Sequence, residues 1–260
     1  LLLATAVAET PTSSDYKPER GQAGKDVVWV PTPQALVEGM LDLAKVTPED
    51  YLVDLGSGDG RTVITAAKRG VRALGIEYNP DLVALSKRAA EQEGVADKAA
   101  FVEGDIFESD FSRATVVTLF LLPELNLRLR PTLLEMRPGT RIVSNSFDMA
   151  DWKPDGQINL EQNCESYCRA YLWIVPAKVE GTWRFPKGEL ALEQTYQMVS
   201  GTLTLDGKEQ PITEGRLNGD VLSFVAGDRN YTARINGESM RVEPAGDRRQ
   251  DAWTAQRLKS

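Results

Sequence analysis

Between Tyr51 and Phe147 short apolar runs alternate with amphipathic stretches. The first run breaks into a turn with glycine at every second position, "YLVDLGSGDGRTV". In order, the segment reads strand "YLVDLG", helix "GRTVITAAKRG", strand "RALGIEYN", helix "PDLVALSKRAAEQEGV", strands "AAFVEGDIF" and "ATVVTLFL", helix "ELNLRLRPTLLEMRPG" and strand "TRIVSNSF". Such alternation predicts an α/β fold built on a doubly wound, mostly parallel sheet. Ligands of such sheets bind beyond the carboxyl ends of the strands, which is where the glycine turn falls.

Upstream, "VVWVPTP" ends at two prolines, "PQALVEGMLDLAKV" spaces Leu36, Met40, Leu41 and Ala44 for one helix face, and "TPED" turns the chain. Beyond about residue 179 the character changes. "GTWRF", "ELALEQTYQMVSGTLTL", "EGRLNGDVLSFVA", "RNYTARING", "SMRVEP" and "DAWTAQRL" are short alternating segments parted by Asp-Gly and Asn-Gly turns. They predict a small all-β C-terminal domain, an antiparallel meander or small barrel, with Trp183, Tyr196, Phe224, Tyr231 and Trp253 as core aromatics. The expected division is a leader at 1–26, a ligand-binding α/β domain at 27–178 and the β domain at 179–260.

Charge and composition remove several function classes. With 30 basic against 38 acidic residues the net charge is -8, which argues against a broad electrostatic footprint for nucleic acid. The chain has no histidine, so histidine bases, Ser-His-Asp triads and ordinary zinc sites are excluded. "LLLATAVAET" reads as the end of an apolar signal region with Ala6-Val7-Ala8 as a small-x-small cleavage pattern. An exported, periplasmic chain starting at Glu9 is expected from it, with a cytoplasmic chain as the alternative. Residues 9 to about 26 are rich in Pro, Ser, Thr, Gly and charge, the composition of a flexible leader. No other segment approaches the roughly 20 apolar residues of a membrane span. The only cysteines, Cys164 and Cys168 in "NCESYC", form a small disulfide loop in an exported chain or stay as two thiols in a cytosolic one; no metal is expected there.

Three acids fall where the first three strands end: Asp54, Glu77 and Asp105. Parallel topology brings all three to one rim. A phosphate-binding loop of the Gly-Lys-Ser/Thr type needs a lysine and a spacer that are both missing. A dinucleotide turn reads G-x-G-x-x-G and seats a pyrophosphate, whereas this one reads G-x-G-x-G with Asp59 inside it, an acid expected to repel phosphate. Asp54 instead suits a cationic amine.

The run "VDLGSGDGR", the acid of "GIEYNP" and the aspartate of "EGDIF" resemble, in order and spacing, the first three motifs of class I S-adenosylmethionine-dependent methyltransferases. The resemblance covers about residues 27 to 178. It implies S-adenosylmethionine as cofactor, touched by Asp54, Gly56, Ser57, Gly58, Gly60, Glu77, Tyr78, Asn79, Asp105 and Ile106. Asp54 would lie near the methionine amine, with Gly56 and Gly58 lining the methionine and ribose. Glu77 would accept from both ribose hydroxyls, Asp105 and the Ile106 backbone would address the adenine amino edge, and Tyr78 and Ile106 would flank the ring. "VVWVPTP" and "DLGSGDGR" are most similar to a branch that includes small lysine methyltransferases acting on mitochondrial membrane proteins, and their bacterial relatives. In that branch V-P-T-P precedes the first motif and helps close the methionine end. Trp29 or Tyr78 near the sulfonium would serve as a cation–π partner, and Trp29 reads equally as a core-packing aromatic. The acceptor implied is a protein lysine. After the fourth strand "LFLLPELN" carries a single proline, Pro123, where nucleobase and amide methyltransferases carry two, so Glu124, Asn126, Asn145, Ser146 and Asp148 are only candidate acceptor contacts and no catalytic residue is assigned. The C-terminal "GTWR" and "DAWTAQR" resemble calycin-like small barrels. The alternatives are an exported binding or scaffold protein that keeps the fold without turnover and, disfavoured by Asp54 and the glycine spacing, a nicotinamide-dependent oxidoreductase.

Overall fold

Buried apolar side chains at Leu52, Val53 and Leu55 put the first strand, β1 (Tyr51–Leu55), in the middle of its sheet. The computed structural model describes residues 16–244 and 252–258; the Ala6-Val7-Ala8 motif lies outside the described residues. α1 (Gln34–Leu43) precedes β1, and α2 (Arg61–Lys68), β2 (Arg72–Glu77), α3 (Pro80–Gln92), β3 (Ala99–Glu103), β4 (Val116–Leu119), α4 (Pro123–Leu134), β5 (Arg141–Asn145), β6 (Gly156–Asn159) and β7 (Arg169–Ile174) follow. The sheet order is β3-β2-β1-β4-β5-β7-β6. β1 runs parallel to both β2 and β4, and β2 to β3.

The sheet is mixed rather than wholly parallel. Val175 N–H donates to the Thr140 carbonyl and Ser146 N–H to the Arg169 carbonyl, so β7 runs back along β5. β6, in "DGQINL", escapes the sequence pattern because it is four residues long with only half-buried alternation. "VVWVPTP" forms no strand; its pairing is a single bridge between Ala23 and Val28.

Local chemistry fixes the helix starts. Asn79 caps α3 by accepting from Asp81 N–H at 2.9 Å, with Pro80 in the first turn where its missing N–H costs nothing. Gly60 precedes α2 at φ 81°, and a Cβ there would meet the Phe101 ring and Ser86 Cβ at 2.8 Å. Glycine is therefore demanded twice, by dihedral and by packing.

β8 (Gly181–Phe185), β9 (Gly188–Thr195), β10 (Met198–Leu205), β11 (Lys208–Asn218), β12 (Val221–Ala226), β13 (Arg229–Asn236), β14 (Ser239–Pro244) and β15 (Trp253–Arg257) close into a barrel. "ELALEQTYQMVSGTLTL" is two of these strands, parted at Tyr196, which adopts φ 54°. Closure comes from β15 pairing β8, with Gln256 opposite Arg184 and Arg257 opposite Trp183. Register shifts in β10 and β11 sit beside Gly201 and Gly215, where a Cβ would fall 1.9 Å from the Ala191 carbonyl oxygen and 2.1 Å from that of Val199; such bulges let strands bend around a barrel. Trp183, Leu203, Leu222, Phe224, Tyr231 and Met240 fill the interior, so the barrel is a packed core. Trp253 stacks on Phe185 with ring centroids 3.8 Å apart. Tyr196 is half-buried at the surface instead, donating to Asp151 at 2.9 Å.

By contacts the chain divides into two compact units: residues up to Leu122 with Val143–Phe147 and Ile158–Ala170, and Pro123–Ile142 with Asp148–Gln157 and Tyr171 onward. The change of sequence character near residue 179 falls inside the second unit, because it marks where the barrel strands begin and not where contacts thin out. Gly60→Ala is expected to lower unfolding stability by about 2–4 kcal/mol, read by urea denaturation; an unchanged midpoint would refute the packing account.

Candidate functional site

Everything at the carboxyl end of β1 is arranged around close backbone approach. Gly56, Gly58 and Gly60 all have positive φ, and the N–H groups of Gly56 and Ser57 donate to the Ile76 carbonyl at 2.8 and 3.1 Å. A Cβ on Gly58 would stand 2.7 Å from Trp29 Nε1, and one on Gly56 would stand 3.2 Å from Leu121 Cδ2. These two glycines keep the turn low beneath its neighbours; Gly60 serves helix packing.

Glu77, at the end of β2, ties the turn to the next loop. Its Oε2 accepts from Gly58 N–H at 2.8 Å and its Oε1 from Asn79 N–H at 2.9 Å. Asn79 thus orients Glu77 through its backbone while its side chain caps α3. Tyr78 is 52% exposed. Beyond β3, Asp105 accepts from Phe107 N–H at 2.9 Å and pairs with Lys25, whose ammonium lies 4.7 Å from the Tyr78 ring centre. The hydrogen bond to Asp105 raises the Lys25 pKa above its ordinary value. Ile106 is half-buried beside this pair.

Asp54 is buried and accepts from the Thr118 hydroxyl at 2.6 Å. Burial pushes its carboxyl from 3.8 up to about 7, opposed by the bond from Thr118; the charged groups acting on it, Glu77 and Asp59, are both acids and raise it further. Asp59 plays a different part from the one its sequence position implies. Arg61 clasps it with Nε at 2.9 Å from Oδ1 and Nη2 at 2.5 Å from Oδ2, and the same guanidinium donates to the Thr32 carbonyl at 2.9 Å. Its charge is therefore matched within the turn, and it anchors the V-P-T-P segment instead of standing free to repel phosphate.

On the other side of β1 the ends of β4 and β5 carry aromatic side chains. Phe120 follows β4 and Phe147 follows β5, with ring centroids 6.4 Å apart. Tyr167 joins them, 5.1 Å from Phe120 and 6.5 Å from Phe147. Of the acceptor candidates, Asn145 is buried and donates to Thr32 Oγ1 at 3.3 Å, while Ser146 donates to Asn145 Oδ1 at 2.8 Å. Both brace the turn that presents Phe147. Glu124, Asn126 and Asp148 belong to the second compact unit, where buried Asn126 donates to the Asp148 carbonyl at 3.3 Å. The aromatic trio escaped the sequence reading; its signal was an aromatic one or two residues past each of two strands and another inside a C-x3-C loop.

The residues fit a ligand with a cationic amine, a vicinal diol and no phosphate. Ser57 Oγ, buried with no hydrogen-bond partner among the described residues, packs over Gly75 of β2, where a Cβ would stand 2.5 Å from it. Each Glu77 oxygen has spare acceptor capacity, and Asp54 needs a cation to be stable as a carboxylate. Among the described residues no cluster of acids and cysteines is built to hold a metal.

Comparison with known proteins agrees with this chemistry. A family model described as the ANTKMT methyltransferase domain matches residues 54–156. A protein-lysine N-methyltransferase of Saccharolobus islandicus is 42% identical over 152 residues, which are 57% of this chain and 94% of that protein. The adenine nucleotide translocase lysine N-methyltransferase of Mus musculus is 36% identical over 120 residues, 45% of this chain; the match spans about half, 52%, of that relative's length. The crystal structure of an RNA methyltransferase from Salinibacter ruber with S-adenosyl-L-homocysteine is 49% identical, covers 58% of this chain and 96% of its own, and superposes with a TM-score of 0.54. The chain belongs to the class I S-adenosylmethionine-dependent methyltransferases, and S-adenosylmethionine is its cofactor.

Proposed function

We propose that the protein transfers the methyl group of S-adenosylmethionine to the ε-amino group of a lysine in a protein. The observation that carries this is the asymmetry of the rim: acids line the β1–β3 side, and uncharged aromatic rings close the β4–β5 side. The name of the Saccharolobus islandicus relative, matched over nearly its whole length, supports it. So does the net charge of -8, which disfavours an RNA acceptor. The Cys164–Cys168 disulfide supports a location in an oxidising compartment.

Roles follow from the geometry. When bound, the cofactor would supply a methyl carbon open to in-line attack by an amine, with the thioether of S-adenosylhomocysteine as leaving group and a methylammonium as product. Glu77 holds the ribose hydroxyls, and the Gly58 and Asn79 N–H bonds fix its carboxylate for that task. Asp54 would meet the methionine ammonium. Asp105 takes the adenine amino edge when Lys25 gives way. Trp29, packed against Gly58, covers the turn and keeps water from it. Orientation and exclusion of water provide the acceleration, so a chain without histidine needs no imidazole base. An acceptor amine must lose its proton before it attacks, and a rim of uncharged rings opposes that loss less than a rim of acids would.

Three outcomes test this reading. Incubating lysate with isotopically labelled cofactor should place label on protein lysine, identified by peptide mass spectrometry; label confined to RNA would overturn the acceptor. Glu77→Gln should weaken S-adenosylhomocysteine binding by roughly 10- to 100-fold, through loss of a charged acceptor. Cofactor binding near pH 7 should release a fraction of a proton as Asp54 ionises beside the ammonium, seen by calorimetry in buffers of different ionisation heat, and the release should vanish in Asp54→Asn. In the ligand-free protein, a carboxyl at about 7 when folded and 3.8 when unfolded contributes stability fully below the lower value, and that contribution is lost as pH rises through the upper one. Stability should fall between about pH 4 and 7 by a few kcal/mol more in the parent than in Asp54→Asn.

A further inference from the structure

We infer that Phe120, Phe147 and Tyr167 form an aromatic seat for the lysine side chain in its ammonium and methylammonium forms, and that the Cys164–Cys168 disulfide holds it in shape. The inference rests on the lysine reading above and goes on to name the residues that choose the acceptor.

Placement comes first. β4 is the strand beside β1 across the point where the strand order reverses, the crevice in which open α/β sheets bind ligands. Phe120 follows directly on β4, and Leu121, the next residue, is the side chain beneath Gly56 of the cofactor turn. Phe147 is thrown out from β5 by a sharp turn: Ser146 adopts φ 62°, and Phe147 N–H donates to the Asn145 carbonyl at 2.7 Å. Buried Asn145 in turn reaches Thr32, whose carbonyl receives the Arg61 guanidinium of the cofactor turn. The aromatic seat and the cofactor turn are thus braced by the same few residues.

Geometry comes second. Phe120 and Phe147 are stacked within 23° of parallel, while Tyr167 meets Phe120 edge-on at 64° and is tilted 57° against Phe147, so the third ring turns a different face outward from the first two. With centroids 5.1, 6.4 and 6.5 Å apart, the three rings form one aromatic cluster, and a cation roughly 4 Å over the open face of Tyr167 is inside the ~6 Å reach of a ring quadrupole. Tyr167 is 38% exposed, a large ring open to an incoming chain.

Restraint comes third. Tyr167 sits in the left-handed region at φ 58°, where a non-glycine residue stays only if its surroundings hold it. The four-residue spacing of Cys164 and Cys168 closes the loop around it, and Arg20 donates to the adjacent Ser166 hydroxyl at 2.9 Å. Reduction frees that loop and takes one wall from the seat.

The test uses the whole protein loaded with S-adenosylhomocysteine and two probes of one shape: Nα-acetyl-Nε-trimethyllysine methylamide and its uncharged carbon isostere ending in tert-butyl. Affinities are read by NMR titration. The parent should bind the cationic probe at least about 10-fold more tightly than the isostere. Tyr167→Ala should erase that preference and Tyr167→Phe should keep it, with S-adenosylhomocysteine affinity in both within twofold of the parent. Reduction of the disulfide in the parent should weaken cationic-probe binding several-fold and leave S-adenosylhomocysteine affinity within twofold. Equal binding of the two probes by the parent overturns the seat without any variant, even when labelling finds methyl-lysine. Full cationic-probe affinity in the reduced protein overturns the role of the disulfide. Absence of methyl-lysine after labelling overturns the acceptor reading and the seat with it.

Discussion

β1 pairs in parallel with β2 on one side and β4 on the other, and that double pairing decides where the chemistry takes place. The chain that leaves β1 must cross toward β2 while β4 has already turned the other way, so nothing in the sheet covers the end of β1. The glycine turn, Asp54, Glu77 and the aromatic residues past β4 and β5 all owe their meeting to it. Glu77 then locks the arrangement: one carboxylate takes a backbone donor from the first loop and another from the second, so the two loops move as one.

The acidic half of the site was legible in the sequence because it is local. Asp54 lies near the end of β1, Glu77 ends β2 and Asp105 follows β3 by two residues, and parallel strands bring their ends to one rim whatever the loops do. The aromatic half was not. Phe120, Phe147 and Tyr167 come from three segments whose meeting depends on β7 running back along β5, and no nearby periodicity announces that reversal. Asp59 shows a subtler limit. Its place in the turn is plain, but its clasp by Arg61 depends on the first residue of α2 curling back, which converts an apparent repulsive charge into a fastener for Thr32. In the C-terminal part the short strands and their turns were readable, whereas the choice between an open meander and a closed barrel was left open, since β8 and β15 meet only after the whole intervening barrel has been laid down.

Asp54 and Asp105 solve the same electrostatic problem in opposite ways. Asp54 is buried beside other acids and holds its proton to about 7. Asp105 lies nearer the surface and carries Lys25 as its counter-ion. One acid of the rim is therefore kept neutral by burial and the other is neutralised by a partner, so neither stands as a bare charge in the ligand-free protein.

The segment from Arg20 to Trp29 touches each part of this machinery in turn: Arg20 on the disulfide loop at Ser166, Lys25 on Asp105, Trp29 against Gly58. A short stretch ahead of the first helix thereby ties together loops that leave three different strands, β1, β3 and β6.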